Sequence, residues 1–281
     1  MGVLAERADI GVVTGDLSIS DREFEAFRKF IFQAAGISLS PAKKMLVSGR
    51  LVKRVRHHRL PSFQSYFEFI SSGQQPGELQ TAVDLLTTNE TYFFREPQHF
   101  EFLKTTIVAA HPPGQTFRIW SAACSSGEEP YTLAMVLAAT FNTTPWELVA
   151  SDISSKVLKQ AQAGQYPMER AERIPPAYLN AYCLRGIGAC QGTFLIDPTL
   201  RQRMQFLSVN LNEPLPKLGQ FDVIFLRNVM IYFNPETKKQ VVSRLLEVLK
   251  PGGYFFVSHS ETLHGVTDAL TVVQASIYQK R

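Results

Sequence analysis

The sequence predicts an α/β fold in which an all-helical N-terminal unit precedes a mainly parallel β-sheet with crossover helices. One change in the spacing of apolar residues along the chain supports this prediction. Before about residue 88 the apolar residues recur at helical spacing, whereas after about residue 105 short apolar runs alternate with helical segments. The chain has 281 residues, of which 45% are hydrophobic and 19% are charged, so it is long enough for one large domain or two smaller ones.

The helical unit is predicted to span residues 18–88, after a flexible tail at 1–17. Ser20 and Glu23 have the spacing of a capping box, which marks the start of a first helix. Stretches rich in Ser, Gly, Gln and Pro separate the helical patterns that follow. Those patterns lie at 43–59, 63–70 and 78–86.

The sheet is predicted from apolar runs of strand length at 117–120, 147–151, 204–209, 221–226, 254–258 and 270–279. Helical segments between the first five of these runs lie at 128–140, 154–163 and 235–250. This alternation indicates parallel strands. We expect the third segment to close at Gly252 and the last two runs to form an antiparallel pair. The stretch 184–206 has three glycines and short β-like pieces, which predicts a small antiparallel β subdomain.

Bulk properties narrow the possible functions only slightly. The net charge of +4 does not by itself imply nucleic acid. The cysteines Cys124, Cys183 and Cys190 form no CxxC pair, which favours a reduced, intracellular setting, and we predict no metal site. No run approaches the ~18 apolar residues of a membrane span, and we see no signal peptide, so we expect no membrane insertion.

The turn at 121–130 joins a predicted strand to a helix, which is where α/β proteins bind nucleotides. It has one glycine, Gly127, and then two acids, Glu128 and Glu129, which would repel phosphate. Asp152, at the end of the next strand, is suited to ribose hydroxyls. The two glutamates could simply complement the positive helix terminus. Together with Asp152 they favour a cationic adenosine without phosphate, such as S-adenosylmethionine.

Two further stretches carry candidate site residues. In the first, at 87–96, Arg95 stands beside aromatic residues at the junction of the two units and could clamp a carboxylate, although a structural hinge would show the same spacing. In the second, Arg227 and Asn228 directly follow a strand and therefore lie at its carboxyl end. Tyr232 follows them, and it could equally be an ordinary packed aromatic.

The segment 43–59 contains seven lysines and arginines and no acid. Val47, Leu51 and Val55 recur every four residues and can anchor a helix, which leaves its other faces positive. Such a run is often only a solvated face. The complete absence of acids favours an acidic partner, for which nucleic acid, an anionic membrane surface and an acidic protein helix all remain open.

With these residues in view, the chain resembles the chemotaxis receptor methyltransferase family, CheR. The matching motifs occur in the family's order from about residue 20 to the end. They lie at 89–95, 120–131, 150–153, 227–233, 249–253 and 259–261. The resemblance implies a Rossmann-like class I methyltransferase sheet and a cytoplasmic enzyme. Such an enzyme uses S-adenosylmethionine to methylate chemoreceptor glutamates for chemotaxis adaptation, giving γ-methyl esters and S-adenosylhomocysteine.

The resemblance also implies roles for individual residues. Arg95 and Tyr232 would act at the reaction centre, with Tyr232 near the reacting methyl group. The implied cofactor-binding residues are Asn89, Thr91, Arg95, Glu128, Glu129, Asp152, Asn210, Leu211, Arg227 and Asn228. Docking of acidic receptor helices would fall to Arg50, Lys53, Arg54 and Arg56. The β subdomain at 184–206 corresponds to one that in some members binds a receptor's C-terminal pentapeptide by strand addition. The methyltransferase domain would then span 89–281, with 18–88 for substrate docking.

Two other classes of function compete with this interpretation. A nucleic-acid methyltransferase would explain the basic helix. The segment 175–178, however, only partly resembles the Asp-Pro-Pro-Tyr loop of amino-methylating enzymes. A cytosine C5 enzyme needs a nucleophilic cysteine, often one that follows a proline, and none of the three cysteines follows a proline. A non-catalytic cofactor sensor that docks to receptors would share the same residues. We therefore expect receptor helices as the partner and no nucleic acid.

Overall fold

The computed structural model describes residues 17–141 and 144–281, and these form two compact units. The smaller unit contains the described residues up to 33 together with 39–86, and the larger contains 34–38 with 87–281. Apart from Leu17, the predicted tail lies outside the described residues. Among the helices of the described ranges, none is long and apolar enough to cross a bilayer.

The smaller unit is helical, as predicted. Its helices are α1 (Asp21–Ala35, whose last two residues belong to the larger unit), α2 (Lys44–His57), α3 (Phe63–Ser71) and α4 (Pro76–Leu86). The capping box is confirmed, because Glu23 N–H donates to Ser20 Oγ at 3.2 Å and Ser20 N–H donates to a Glu23 carboxylate oxygen at 2.8 Å. Val47, Leu51 and Val55 are fully buried and anchor α2, so its charged side chains occupy the remaining faces.

The described residues of the larger unit form ten β-strands. They are β1 (Phe117–Ser121), β2 (Trp146–Asp152), β3 (Gln165–Pro167), β4 (Cys183–Arg185), β5 (Thr193–Ile196), β6 (Met204–Ser208), β7 (Phe221–Phe225), β8 (Leu249–Phe256), β9 (Leu270–Gln274) and β10 (Ile277–Lys280). Its α-helices are α5 (Pro97–Phe102), α6 (Glu128–Thr140), α7 (Ser155–Ala163), α8 (Pro176–Tyr182), α9 (Pro198–Arg201) and α10 (Pro235–Glu247). A π-helical stretch, Leu103–Val108, continues α5.

Seven strands form one sheet in the order β6-β2-β1-β7-β8-β10-β9. The first five are parallel to one another, and β10 is antiparallel to both of its neighbours. The order reverses between β1 and β7, which are adjacent in space but far apart in sequence. Ligands of such sheets bind where the strand order reverses, at the carboxyl ends of the strands. The predicted Rossmann-like α/β fold is confirmed.

The small antiparallel sheet has the order β3-β5-β4. Its strands begin at Gln165, earlier than the expected 184, and it ends at Ile196, because the apolar run from 204 pairs in parallel with β2. Gly186 beside β4 has a steric reason to be glycine, since a Cβ there would lie 2.0 Å from the carbonyl oxygen of Cys190.

The C-terminal part of the sheet differs from the sequence expectation in two respects. The predicted helix closure at Gly252 is wrong, because α10 ends at Glu247 and the Pro-Gly-Gly segment lies within β8. The register between β7 and β8 jumps there, as in a β-bulge, which accommodates Pro and Gly without ladder hydrogen bonds. The last run, 270–279, is a hairpin of β9 and β10 that turns at Ser276 (φ 61°), and the expected antiparallel pairing with β8 is made by β10.

Candidate functional site

A cavity opens in the larger unit at the carboxyl ends of β1, β2 and β7. Its volume is about 920 Å³, including the space at its mouth. It brings together every predicted catalytic and cofactor-binding residue except Glu128. Those residues are Asn89, Thr91, Arg95, Glu129, Asp152, Asn210, Leu211, Arg227, Asn228 and Tyr232. A cavity that has a few polar groups among apolar walls at the carboxyl ends of parallel strands is typical of small-molecule sites.

The turn after β1 is shaped by Gly127, the residue before α6. Gly127 has φ 101°, and a Cβ there would lie 2.7 Å from Tyr166 Oη and 2.9 Å from the Cβ of Ala161. Any other residue would therefore be both strained and crowded. The close fit fixes where α6 begins and thus the directions of the two acids that follow.

The two glutamates of the turn have different surroundings. Glu128 is buried outside the cavity lining, where its carboxylate accepts hydrogen bonds from Arg170 Nη1 at 2.9 Å and from Ser126 Oγ at 2.7 Å. Glu129 lines the cavity, and its carboxylate accepts from Ser121 Oγ at 2.8 Å. Burial raises the pKa of both carboxyl groups, and nearby arginines oppose the rise. Of these two glutamates, therefore, only Glu129 lies in the cavity wall.

Asp152 connects the ends of two strands through its carboxylate. One oxygen accepts the backbone N–H of Ser125 at 2.9 Å, and the other accepts that of Ser154 at 2.9 Å. Ser125 has a left-handed backbone (φ 48°), and this bond helps to hold it. The carboxylate of Asp152 therefore has a fixed orientation in the cavity wall.

Arg227 lies in the cavity wall between two carboxylates, with its side chain almost entirely screened from solvent. Its Nη1 donates to Glu129 at 2.9 Å, and its Nη2 donates to Glu96 at 3.0 Å and to the carbonyl of Arg95 at 2.5 Å. Only 1% of its side chain is exposed. We therefore expect Arg227 to orient Glu129 rather than to bind a ligand through its own exposed surface.

Arg95 and Tyr232 both line the cavity, from segments far apart in sequence. Arg95 Nη1 donates to the carbonyl of Glu90 at 3.2 Å, and its guanidinium lies 5.4 Å from the ring centre of Tyr92. Tyr232 belongs to a 3₁₀ turn, and its backbone carbonyl accepts the N–H of Ser38 at 2.8 Å. Both side chains are partly exposed, so they are accessible to a second substrate.

The cavity also contains residues that the sequence did not indicate. Ala35 and Ile37 line it from the segment 34–38, which pairs through Ile37 with Phe233. Within that segment Gly36 has φ 71°, and a Cβ there would lie 2.8 Å from the side chain of Thr237. In the sequence, the feature that could have pointed to this segment is Gly36, near the end of a predicted helix. A glycine at that place is equally typical of a helix C-cap.

The predicted docking residues lie on α2 of the smaller unit and differ in their contacts. Arg54 binds the buried carboxylate of Glu78, and Arg50 donates to the carbonyl of Leu86 at 3.1 Å. Lys53 and Arg56 are exposed. The helix is basic throughout, but its most accessible predicted cations are Lys53 and Arg56.

One group among the described side chains has the donor types of a metal site. It consists of Glu96, His99 and His259, whose ligand atoms lie within 4.8 Å of one another. Arg227 already places its positive charge against Glu96, and both imidazoles contact the Ser276 hydroxyl, at 2.7 Å and 3.1 Å. Burial, Arg227 and His259 lower the pKa of His99 to about 3. A cation beside Arg227 would be repelled, so the absence of a metal stays our prediction.

Two family models match the chain and together cover most of it. "CheR methyltransferase, all-alpha domain" matches residues 22–87, and "CheR methyltransferase, SAM binding domain" matches residues 89–279. The chain is 39% identical to "Chemotaxis protein methyltransferase" of Escherichia coli K12, with 95% of this chain and 93% of that protein covered. It is 37% identical to the protein of the same name from Salmonella typhimurium LT2, covering 95% and 92%. It is 39% identical to "Chemotaxis protein methyltransferase 2" of Pseudomonas aeruginosa PAO1, covering 91% and 92%.

Proposed function

The chain belongs to the CheR methyltransferase family, and from that membership we propose how its own residues perform the reaction. It is a protein-glutamate O-methyltransferase that uses S-adenosylmethionine to methylate chemoreceptors. One observation of this chain carries the proposed residue roles. Glu129 and Asp152 place two carboxylates in the lining of a single cavity at the reversal of strand order, which suits an adenosine with a cationic end better than one with phosphates.

The cavity residues suit the cofactor. We assign Asp152 to the ribose hydroxyls, Glu129 to the cationic methionine end, and Asn210 with Leu211 to the adenine. Asn89 and Thr91 border the cofactor beside Arg95, and Asn228 completes the wall. When bound, S-adenosylmethionine supplies a methyl group attached to a positively charged sulfur.

The chemistry asks little of the protein beyond alignment. A glutamate acceptor has a reference pKa of ~4.3, so it is already ionised at neutral pH and needs no general base. We propose that Arg95 and Tyr232 orient this carboxylate. Arg95 Nη1 donates to the Glu90 carbonyl, and the guanidinium has further N–H donors with which it can bind the acceptor carboxylate. Correct alignment and exclusion of water contribute several kcal/mol, up to ~7–11 in model reactions.

Methyl transfer to receptor protein tests these roles. At saturating cofactor we expect kcat to fall on the order of 100-fold in Arg95→Ala and about tenfold in Tyr232→Phe, because each variant loses a group that aligns the acceptor. The measurement is base-labile tritium on receptor glutamates. Tyr182→Phe, a tyrosine on α8, is the matched control and should keep full turnover.

Full turnover in both cavity variants would refute the assigned roles. Label on nucleic acid, or cofactor binding without any transfer, would contradict the proposed function itself.

We propose that residues 18–88 dock the substrate, that residues 89–281 transfer the methyl group, and that Lys53 and Arg56 make the main contacts to acidic receptor helices. Their exposure supports this, whereas Arg54 is already bound to Glu78. Long-range attraction of this kind steers association and is screened by salt.

Reversing both charges tests the docking surface. In Lys53→Glu/Arg56→Glu we expect KM for the receptor to rise about tenfold at low salt, with cofactor affinity unchanged, because steering is lost. Lys159→Glu/Lys239→Glu reverses two exposed charges of the larger unit and is the control. An equal rise of KM in the control would show that net charge, and not this surface, governs the encounter.

We further propose that the small sheet binds a receptor's C-terminal pentapeptide by adding it as a strand beside β4. This strand pairs with β5 on one side only, and Leu184 and the nearby Ile187 are exposed (48% and 83%). Calorimetric titration with receptor C-terminal pentapeptides is the test.

We also propose a cytoplasmic location, since Cys124, Cys183 and Cys190 are free thiols, as a reducing compartment allows.

A further inference from the structure

Glu261, the last residue of the motif His-Ser-Glu, has a carboxylate that accepts three backbone N–H groups. One oxygen accepts those of Asn228 at 2.9 Å and Ser258 at 3.0 Å, and the other accepts that of Ile231 at 3.3 Å. Ser258 follows β8, whereas Asn228 and Ile231 belong to the segment 228–232 after β7, which we call the β7 loop. Glu261 therefore joins the carboxyl ends of two adjacent parallel strands.

Glu261 binds the β7 loop at two points where its backbone departs from the strand. Asn228 has a left-handed backbone (φ 59°), and its N–H bonds to Glu261 instead of to a neighbouring strand. The side chain of Ile231 is 53% exposed, so its packing contributes little to holding that residue in place. Hydrogen bonds to an ionised acceptor are roughly twice as strong as those between neutral groups. The carboxylate is therefore a main anchor of both residues.

The β7 loop also forms part of the cavity wall, through Asn228, Val229 and Tyr232. Ile231 immediately precedes Tyr232, so the bond from its N–H to Glu261 fixes the backbone on one side of the tyrosine. On the other side, the carbonyl of Tyr232 accepts the N–H of Ser38 at 2.8 Å. Glu261 itself lies outside the cavity lining, so it influences a bound molecule through the loop and not by contact.

We propose that Glu261 is a positioning residue for methyl transfer. By binding the N–H groups of Asn228 and Ile231 it fixes the β7 loop, and the fixed loop holds the hydroxyl of Tyr232 where it aligns the acceptor carboxylate. Groups that act on a reacting atom must be held within about 0.5 Å of the productive geometry. The inference rests on the proposed function, which gives Tyr232 its role, and adds to it the residue that holds the tyrosine in place.

Glu261→Gln tests the inference with little disturbance to the fold. The amide oxygen replaces the carboxylate oxygen that binds Asn228 and Ser258, while the NH2 group faces the N–H of Ile231 and cannot accept it. We expect kcat for receptor methylation to fall about fivefold, because Tyr232 loses its alignment. The affinity for S-adenosylmethionine, measured by calorimetry, should change less than about twofold, since the bond to Asn228 is kept.

A double-mutant cycle separates the positioning of Tyr232 from a general structural effect. In the Tyr232→Phe background, Glu261→Gln should lower kcat less than about twofold, because the hydroxyl that Glu261 positions is already gone. Glu247→Gln makes the same change of net charge at an exposed acid of α10 and is the control, with kcat unchanged in both backgrounds.

Unchanged kcat in Glu261→Gln would overturn the inference alone, as would equal falls of kcat in the two backgrounds or a comparable loss of cofactor affinity. A Glu261→Gln chain that circular dichroism shows to be unfolded would also overturn it, because the residue would then serve the fold as a whole. Full turnover in Tyr232→Phe, or a wild-type chain that transfers no methyl group, would instead contradict the proposed function, and the inference with it.

Discussion

Replacing Asp152 with alanine is expected to lower the affinity for S-adenosylmethionine by at least about 100-fold. Hydrogen bonds to an ionised acceptor contribute roughly 1.5–3 kcal/mol each, and a carboxylate that binds two ribose hydroxyls makes two of them. The side chain also holds the backbone N–H groups of Ser125 and Ser154, at 2.9 Å each. Its loss therefore removes the ligand contacts and loosens the turn after β1 at the same time.

Asp152→Asn separates these two contributions. An amide has one acceptor oxygen for the two backbone donors, so one of them loses its bond, while the shape of the side chain is kept. We expect its affinity to fall between those of the wild type and Asp152→Ala. Calorimetry with S-adenosylmethionine and with S-adenosylhomocysteine gives the values, and both should weaken, because ribose is common to the two molecules.

The control for this experiment is Asp268→Ala, which removes an exposed acid from the same unit and should bind as the wild type does. If Asp152→Ala is folded by circular dichroism and binds the cofactor with unchanged affinity, the ribose assignment is refuted.

The parts of the fold that the sequence predicted well are those governed by local pattern. The capping box at Ser20 fixed the start of α1, and α6 has the bounds expected from its apolar spacing, 128–140. The Pro-Gly-Gly segment was wrongly predicted to close a helix. Pro and Gly are common both after a helix and in a β-bulge, because neither place requires regular backbone hydrogen bonds. Only the pairing of β7 with β8, a long-range contact, distinguishes the two cases.

The candidate site shows the same division. The strand order predicts that the ends of β1, β2 and β7 converge, so Glu129, Asp152 and Arg227 could be named together from sequence. Which glutamate enters the cavity could not be predicted, because Arg170, 42 positions away, binds Glu128. The charge pattern of α2 likewise could not show that Arg54 is already bound, because its partner, Glu78, lies on α4.

Replacing Glu78 with glutamine is expected to destabilise the smaller unit by about 2–3 kcal/mol. Glu78 is 7% exposed, and its carboxylate accepts hydrogen bonds from Arg54 and from Tyr66 Oη at 2.7 Å. His58 Nε2 lies 3.1 Å away. Glutamine offers one acceptor and turns an N–H toward a donor, so part of this buried network loses its partners.

Hydrogen exchange in the full chain provides the measurement. We expect amides of α2, α3 and α4 to exchange on the order of 30–150-fold faster in Glu78→Gln, which is the same free energy expressed as an opening equilibrium. Glu68→Gln is the matched control: Glu68 is exposed on α3 and accepts a bond from Gln64 at 2.7 Å. Its effect should stay below about 0.5 kcal/mol. Equal exchange in both variants would show that the network adds nothing to stability.

The ionisation of Glu78 also predicts how the stability of the smaller unit depends on pH. Burial raises the pKa of the Glu78 carboxyl, but hydrogen bonds from Arg54 and Tyr66 outweigh it and leave the pKa below its ordinary value of 4.5. A lowered folded-state pKa means that the stabilisation is complete above the unfolded-state value and is lost as pH falls through the folded-state value. After correction for intrinsic exchange rates, the wild type should lose protection below pH 4.5, and Glu78→Gln should lose less over that range. The difference in exchange protection between the wild type and Glu78→Gln therefore decreases as the pH falls. The reason is that protonation removes from the wild type the charge that the substitution has already removed.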